Sequence, residues 1–254
     1  MQVTLLGTGS AMPLRDRVQT GLLLERDDRA LLVDCGAGVL HRLSNTGVGY
    51  EGVSTVLLTH HHLDHVSDLL ALLKARWLAG ETHLEVIGPA GTKSLLDDLL
   101  GVHDYLEDRV DLSIREVRTG AEFEAAGFEI AARETVHSME CLAYRFTGDD
   151  GMGASSGDFT FGADGEASGS IARFADGSEV LLHDCSFPDE VDVDNHPTPT
   201  QLGEALAGTD IDRLLLTHLY PHTEGKHDEM IESIERAGFG GNVLVAEDGM
   251  TVEV

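Results

Sequence analysis

Lysine is nearly missing from this chain. Its 17 basic residues comprise only three lysines (Lys74, Lys93 and Lys226), the rest being arginines, against 45 acidic residues and a formal charge of −28. The deficit is spread along the whole sequence, so it is not the signature of an acidic tail. It leaves no basic footprint for a polyanion, which argues against stable binding of long nucleic acid. Long apolar runs are missing too: no stretch of 18 apolar residues occurs, so no transmembrane helix is expected. The start, Met1-Gln2-Val3-Thr4-Leu5-Leu6-Gly7, has no basic segment and reads as a strand, not as a signal peptide. Cysteine is scarce: Cys35, Cys141 and Cys185 cannot all pair with one another and show no CxxC spacing, which fits a reducing, cytoplasmic setting. What is present is an apolar content of 42%, enough for a sizeable core and too much for a disordered acidic chain. A folded protein with an acidic, lysine-poor surface suits a high-salt cytoplasm, where screening removes self-repulsion, so a halophilic source is expected.

Strand-like apolar runs alternate with helix-compatible stretches. Residues 2–7, 19–25 and 30–33 read as strands, and a helix from about Val39 to Asn45 follows Asp34-Cys35-Gly36-Ala37-Gly38. Val53 to Leu58 is a buried strand, and a helix is expected over Val66 to Leu78. After a strand at 83–87 and a helix at 91–100, strands dominate: roughly 111–118, 122–124, 127–135 and 140–147, with His137 in the last turn. Residues 152–156 are compatible with a short strand ending at Gly157-Asp158-Phe159, and 163–176 with helix in part. Strands at 180–182, 211–216, 242–246 and 250–254 and helices at 201–207 and 226–237 complete the chain, the first helix entered through Thr198-Pro199. Gly7-Thr8-Gly9-Ser10 lacks the third glycine and the Lys-Ser/Thr of a nucleotide loop and reads as a turn beside the site. No long linker appears, so residues 1–254 are expected to form a single domain. A strand followed by a polar residue recurs at Asp34, His60, Asp184 and His218, which suggests two similar α/β halves packed face to face.

The densest chemistry lies in Thr59-His60-His61-His62-Leu63-Asp64-His65, where a strand ends and a helix begins. His60 and His62 are two apart at a strand end, so both rings can point to one side. Asp64 and His65 open the helix and can face a second point. One short segment can therefore serve two metal ions, and two ions need a bridging carboxylate and further histidines. His137, Asp158 and His218 lie where they can supply them.

This H-x-H-x-D-H signature resembles that of the metallo-β-lactamase superfamily. Leu6-Gly7-Thr8-Gly9-Ser10, Leu32-Val33-Asp34-Cys35-Gly36, Ser156-Gly157-Asp158, Leu182-His183-Asp184-Cys185-Ser186-Phe187 and Leu216-Thr217-His218 resemble its tRNase Z-like branch, in the branch's order and over almost the whole chain. The resemblance implies a four-layer αββα sandwich. It implies that His60, His62 and His137 hold one divalent ion and Asp64, His65 and His218 another, zinc first, with manganese or iron as alternatives. Asp158, in the Ser-Gly-Asp context, would bridge them in preference to Asp184, although Phe159 stands where Thr is usual and Asp184 where Glu is usual. Asp34 would orient the histidine loop, and Asp184 would support the site. Asp64 would position the attacking hydroxide, and His196 would protonate the leaving group.

The expected activity is hydrolysis of a small phosphodiester, such as a cyclic nucleotide, or of an RNA-like substrate. Ester, thioester or lactone hydrolysis on the same scaffold is the alternative, and tRNA 3′ processing is a weaker one. Only 21 positions separate His137 from Asp158, too few for the tRNA-binding arm that the branch carries there. No membrane partner is expected, and a homodimer is compatible with this reading.

Overall fold

A computed structural model describes residues 1–106, 108–148, 157–191 and 193–254. The first half forms strands β1 (Gln2–Gly7), β2 (Gly21–Arg26) and β3 (Arg29–Val33), helix α1 (Val39–Leu43), β4 (Thr55–Leu57), helices α2 (Leu63–Val66) and α3 (Leu69–Ala79), β5 (His83–Gly88), α4 (Thr92–Val102) and β6 (Asp111–Glu116). The second half forms β7 (Glu122–Ala125), β8 (Phe128–Glu134), β9 (Leu142–Phe146), β10 (Asp158–Phe161), α5 (Gly169–Ala175), β11 (Ser178–Asp184), α6 (Pro199–Leu206), β12 (Arg213–Thr217), α7 (His227–Ala237), β13 (Asn242–Val245) and β14 (Thr251–Glu253). The strand considered for 152–156 lies outside the described residues.

Two seven-stranded sheets result, ordered β14-β1-β2-β3-β4-β5-β6 and β13-β12-β11-β10-β9-β8-β7. In each, an antiparallel meander passes into parallel strands, β3 to β6 in the first and β10 to β13 in the second. β14 leaves the second half to pair with β1 in the first sheet, in register Val3 to Val252. Three apolar clusters fill the spaces between layers. Leu5, Leu22, Leu24, Phe128, Tyr144 and Phe159 meet between the sheets. Leu23, Leu32 and Val56 pack on Leu69 and Leu72 of α3, and Leu181, Leu214 and Leu216 pack on Leu202 and Met230. This is the four-layer αββα arrangement that the resemblance implied. The central strands, parallel β4 and β11 and antiparallel β2 among them, read as continuous apolar runs because layers cover both of their faces.

The helix expected over Val66–Leu78 is divided at Ser67-Asp68. The Asp68 carboxylate accepts the N–H groups of Gly38, at 2.8 Å, and Leu40, at 3.0 Å, and so anchors α1, while Asp68 N–H reaches the Cys35 carbonyl at 2.9 Å. The Thr-Pro entry to α6 is a full capping box: Thr198 accepts the Gln201 N–H and the Gln201 side chain accepts from Thr198 N–H at 2.9 Å. Among the described residues no helix is long and apolar enough to cross a membrane.

Candidate metal centre

Parallel strands deliver their C-terminal ends to one edge of a sheet, and both sheets turn that edge to the same place. From the first sheet, β3 ends at Asp34 and β4 leads to the histidine run. From the second, β10 leads to Asp164, β11 ends at Asp184, and β12 leads to His218, while the β8–β9 turn supplies His137. Three of the delivered stretches hold a non-glycine residue in the left-handed region: Asp34 at φ 57°, Ala163 at φ 55° and His218 at φ 57°. Such backbone is costly and is kept where surroundings over-determine it. Gly36 shows how tightly the turn is drawn, since a Cβ there would lie 2.0 Å from the Asp64 carbonyl oxygen.

Among the described residues the side chains converge in four overlapping groups, of which two (His60 with His65 and Asp164, and Asp164 with His196 and His218) share Asp164 and two do not. Of the latter, His60, His62 and His137 form one and Asp64, His65 and His218 the other, with ligand atoms within 4.8 Å of one another in each. His60 Nε2 lies 3.0 Å and His137 Nε2 3.2 Å from His62 Nδ1. His218 Nε2 lies 3.1 Å from Asp64 Oδ2. These are the sets that the sequence reading grouped. The carboxylate between them is Asp164, whose Oδ2 lies 3.1 Å from His218 Nε2, 3.3 Å from His65 Nε2 and 3.8 Å from His60 Nε2.

The expectation that Asp158 bridges is therefore corrected. Asp158 opens β10 and pairs with Ser178 at the start of β11, the end of the parallel strands away from the site. Its carboxylate accepts from Arg145 Nε at 2.7 Å and from Gly148 N–H at 2.9 Å. The acid was sought before Phe159-Thr160-Phe161, when that triplet is itself the strand. The pattern that found Asp34, His60, Asp184 and His218, a polar residue after an apolar strand, points past Gly162 to Asp164.

The groups around the cluster fix its rings. Asp34 accepts from Thr59 N–H and Thr59 Oγ1, each at 2.8 Å, and from His65 Nδ1 at 2.7 Å, so it does orient the histidine loop. Thr59 Oγ1 also lies 3.0 Å from His60 Nδ1, with Cys141 Sγ at 3.6 Å. Ser186, passed over in the sequence, donates to Asp184 Oδ1 at 2.6 Å and lies 3.0 Å from His218 Nδ1. Asp184 Oδ2 accepts from His196 Nδ1 at 2.6 Å, and the His196 ring stacks on His218 with centroids 5.5 Å apart. Of the other histidines, His61 bonds Thr92 Oγ1 at 2.8 Å and His183 bonds the Asp184 carbonyl at 2.8 Å, so both serve the scaffold.

Burial, aided by neighbouring imidazoles, holds His60 well below the usual histidine range and takes His137 down to about 4. Burial lowers His62 as well. His65 goes the other way: against a burial penalty, Asp164 and Asp34 raise it well above that range. Burial opposes ionisation of Asp164, but His218, His65 and His60 outweigh it and hold that carboxyl well below the usual range. Burial opposes the charge on His196, yet Asp184, Asp164 and Asp64 raise it to about 9.

This donor set fits divalent metal. Ionised carboxylates and the imidazoles of His60, His62 and His137, lowered by burial, are in the forms that bind ions, while at His65 an ion would take the place of the proton that Asp164 and Asp34 favour. His65 Nε2 and His137 Nδ1 are buried nitrogens without a hydrogen-bond partner, and His65 gives its other nitrogen to a carboxylate, the arrangement that orients histidine ligands.

Comparisons place these features among known proteins. Residues 1–232 match the family model described as Anti-Pycsar protein Apyc1. The ribonuclease Z of Mycobacterium avium (strain 104) is 31% identical over 279 residues, covering 100% of this chain and 98% of that protein. The metallo-β-lactamase fold protein YhfI from Bacillus subtilis superposes with a TM-score of 0.84 at 26% identity, covering 100% of this chain and 98% of that one. Human tRNase Z, short form, shares the fold at a TM-score of 0.78 and 20% identity, covering 100% of this chain and 99% of that one.

Proposed function

The chain belongs to the family described as Anti-Pycsar protein Apyc1, in the ribonuclease Z-like branch of the metallo-β-lactamase superfamily, and on that footing we propose that it is a dinuclear phosphodiesterase acting on a small phosphodiester. That it is a metal-dependent hydrolase follows from its relatives; the substrate, the ion count and the residue roles are our reading. The observation that carries it is the Asp164 carboxylate lying between two ligand groups, each drawn from both sheets.

In this reading His60, His62 and His137 would hold one ion and Asp64, His65 and His218 the other, with Asp164 placed to serve both. Zinc fits the nitrogen and oxygen donors first. Bound ions would supply Lewis acidity toward the phosphoryl oxygens and acidify a water. The chain's own residues supply the rest. Asp64, kept ionised by the hydrogen bond from His218 and by His65 against its burial, is the acceptor that orients the attacking water. With Nδ1 engaged by the Asp184 carboxylate at 2.6 Å, which favours the protonated ring, His196 can offer Nε2–H to the departing oxygen. Asp34, Thr59 and Ser186 hold the rings so that little reorganisation remains when charge develops.

Small substrates are favoured over tRNA by the charge of −28 and by the short connection from His137 to Asp164. The name of the Mycobacterium avium relative favours RNA as the second reading. Three buried free cysteines and the acidic composition support a reducing, high-salt cytoplasm as its setting. The metal-loaded protein should be screened on bis-p-nitrophenyl phosphate, cyclic nucleotides, a tRNA precursor, thioesters and lactones. Turnover of the carbon esters alone would overturn the phosphodiesterase reading.

A further inference from the structure

We infer that the cavity beside the metal cluster selects phosphodiesters that carry a single negative charge and a flat, uncharged group on the ester oxygen that does not leave, and that Leu63 and Tyr220 receive that group. The inference rests on the phosphodiesterase reading above. Leu63 sits between two proposed ligands, His62 and Asp64, yet its side chain is 77% exposed and joins none of the apolar cores. Its carbonyl is used, accepting the Ser67 hydroxyl one turn on. What singles Leu63 out among exposed apolar side chains is its place, on the wall of the cavity and between two proposed ligands.

The cavity it lines measures about 360 Å³ and is shared with His62, Asp64, Asp164, His196 and His218, with Ala11 and Tyr220 completing its wall. That is room for one small organic group beside a phosphate. Tyr220 is a fixed surface: its ring stacks on Phe187, with centroids 4.6 Å apart at 26°, and stands edge-on to His218 at 5.8 Å.

Charge makes the second half of the argument. No lysine or arginine lines this cavity; its carboxylates are Asp64 and Asp164, beside the imidazoles of His62, His196 and His218. A scissile diester brings one negative charge to the cluster. A terminal phosphate or a polyphosphate would bring more and find no lysine or arginine in the lining to meet it. The lining thus favours apolar area over further charge.

The test compares hydrolysis by the metal-loaded full chain of phenyl p-nitrophenyl phosphate, methyl p-nitrophenyl phosphate and p-nitrophenyl phosphate. All three release the same leaving group. The phenyl diester should exceed the methyl diester about tenfold in kcat/KM, expressed mainly in KM, with the dianionic monoester poorest. Leu63→Asn should collapse the phenyl-to-methyl ratio toward one, and Leu63→Phe should keep or raise it, which separates a lost surface from a damaged fold. Equal wild-type values for the two diesters, or a ratio that survives Leu63→Asn, would overturn the inference while leaving the phosphodiesterase reading intact. Turnover of thioesters or lactones with neither diester touched would overturn both.

Discussion

Replacing Asp164 by Asn, beside Asp158 by Asn, is the sharpest test of how the site is completed. Asp164 is 2% exposed and its Oδ2 stands between 3.1 and 3.8 Å from three imidazole nitrogens. At an effective dielectric constant near 20, a unit charge 3.3 Å away interacts by roughly 5 kcal/mol before solvation costs. An amide keeps the shape and loses nearly all of that attraction for whatever cation sits there. Loss of one well-aimed electrostatic group costs about 10²–10³ in turnover, and loss of a metal's supporting group costs 10–100-fold in affinity. Asp164→Asn should therefore fall by about three orders of magnitude in kcat/KM on a p-nitrophenyl diester and retain less metal after dialysis. Asp158→Asn breaks an ion pair whose two side chains are each 25% exposed, worth about 1 kcal/mol or less. Its activity should stay within about twofold, with at most a small drop in melting temperature. Metal analysis, steady-state kinetics and thermal melts on the two variants decide the matter. Full activity and metal in Asp164→Asn, with both lost in Asp158→Asn, would refute the geometry argued here.

Four further outcomes follow. Metal analysis should find close to two equivalents of divalent ion per chain, with chelation abolishing hydrolysis and re-addition restoring it; a fully active metal-free protein would sink the enzyme reading. Asp184→Asn should slow alkyl leaving groups by about 10²–10⁴ and p-nitrophenolate far less, because only the former need the proton that His196 carries; equal losses on both would count against His196 as the acid. Asp189 accepts from Thr200 N–H at 2.8 Å and Thr200 Oγ1 at 2.9 Å, and those bonds, against a burial penalty, hold its pKa below the usual range. Its contribution is present above about pH 4 and fades as pH falls through the depressed value, so Asp189→Ala should lose roughly 1 kcal/mol near neutrality and less in acid, read by urea melts across pH. Stability should also rise with molar salt, and a melting temperature unchanged between dilute buffer and high salt would reject the halophilic expectation.

Much of this was legible beforehand because strand ends announce themselves. Apolar runs closed by Asp34, His60, Asp184 and His218 gave the repeated pattern, and the structure puts all four at one place. Asp164 escaped because its strand is short and because Asp158, in a more suggestive tripeptide, competed for the role. The split between α2 and α3 escaped for another reason. Helical periodicity reports which face is buried, not that Asp68 is recruited by backbone N–H groups of a distant segment. Ser186 and Thr59 carried no signal of their own, since a buried hydroxyl serving two rings looks like any serine or threonine until its neighbours are known. Leu63 carried no signal in the sequence, and only its exposure on the cavity wall singles it out.

The placement of the proposed ligands has a mechanical consequence. His60, His62, Asp64 and His65 hang from one sheet, and His137, Asp164 and His218 from the other. An ion gripped from both sides is a clasp across the molecule, and by linkage its occupancy adds to folding free energy, by about 2.7 kcal/mol when the free ion stands at a hundred times its dissociation constant. The concentration of free metal around this protein would then set how firmly its two halves are shut.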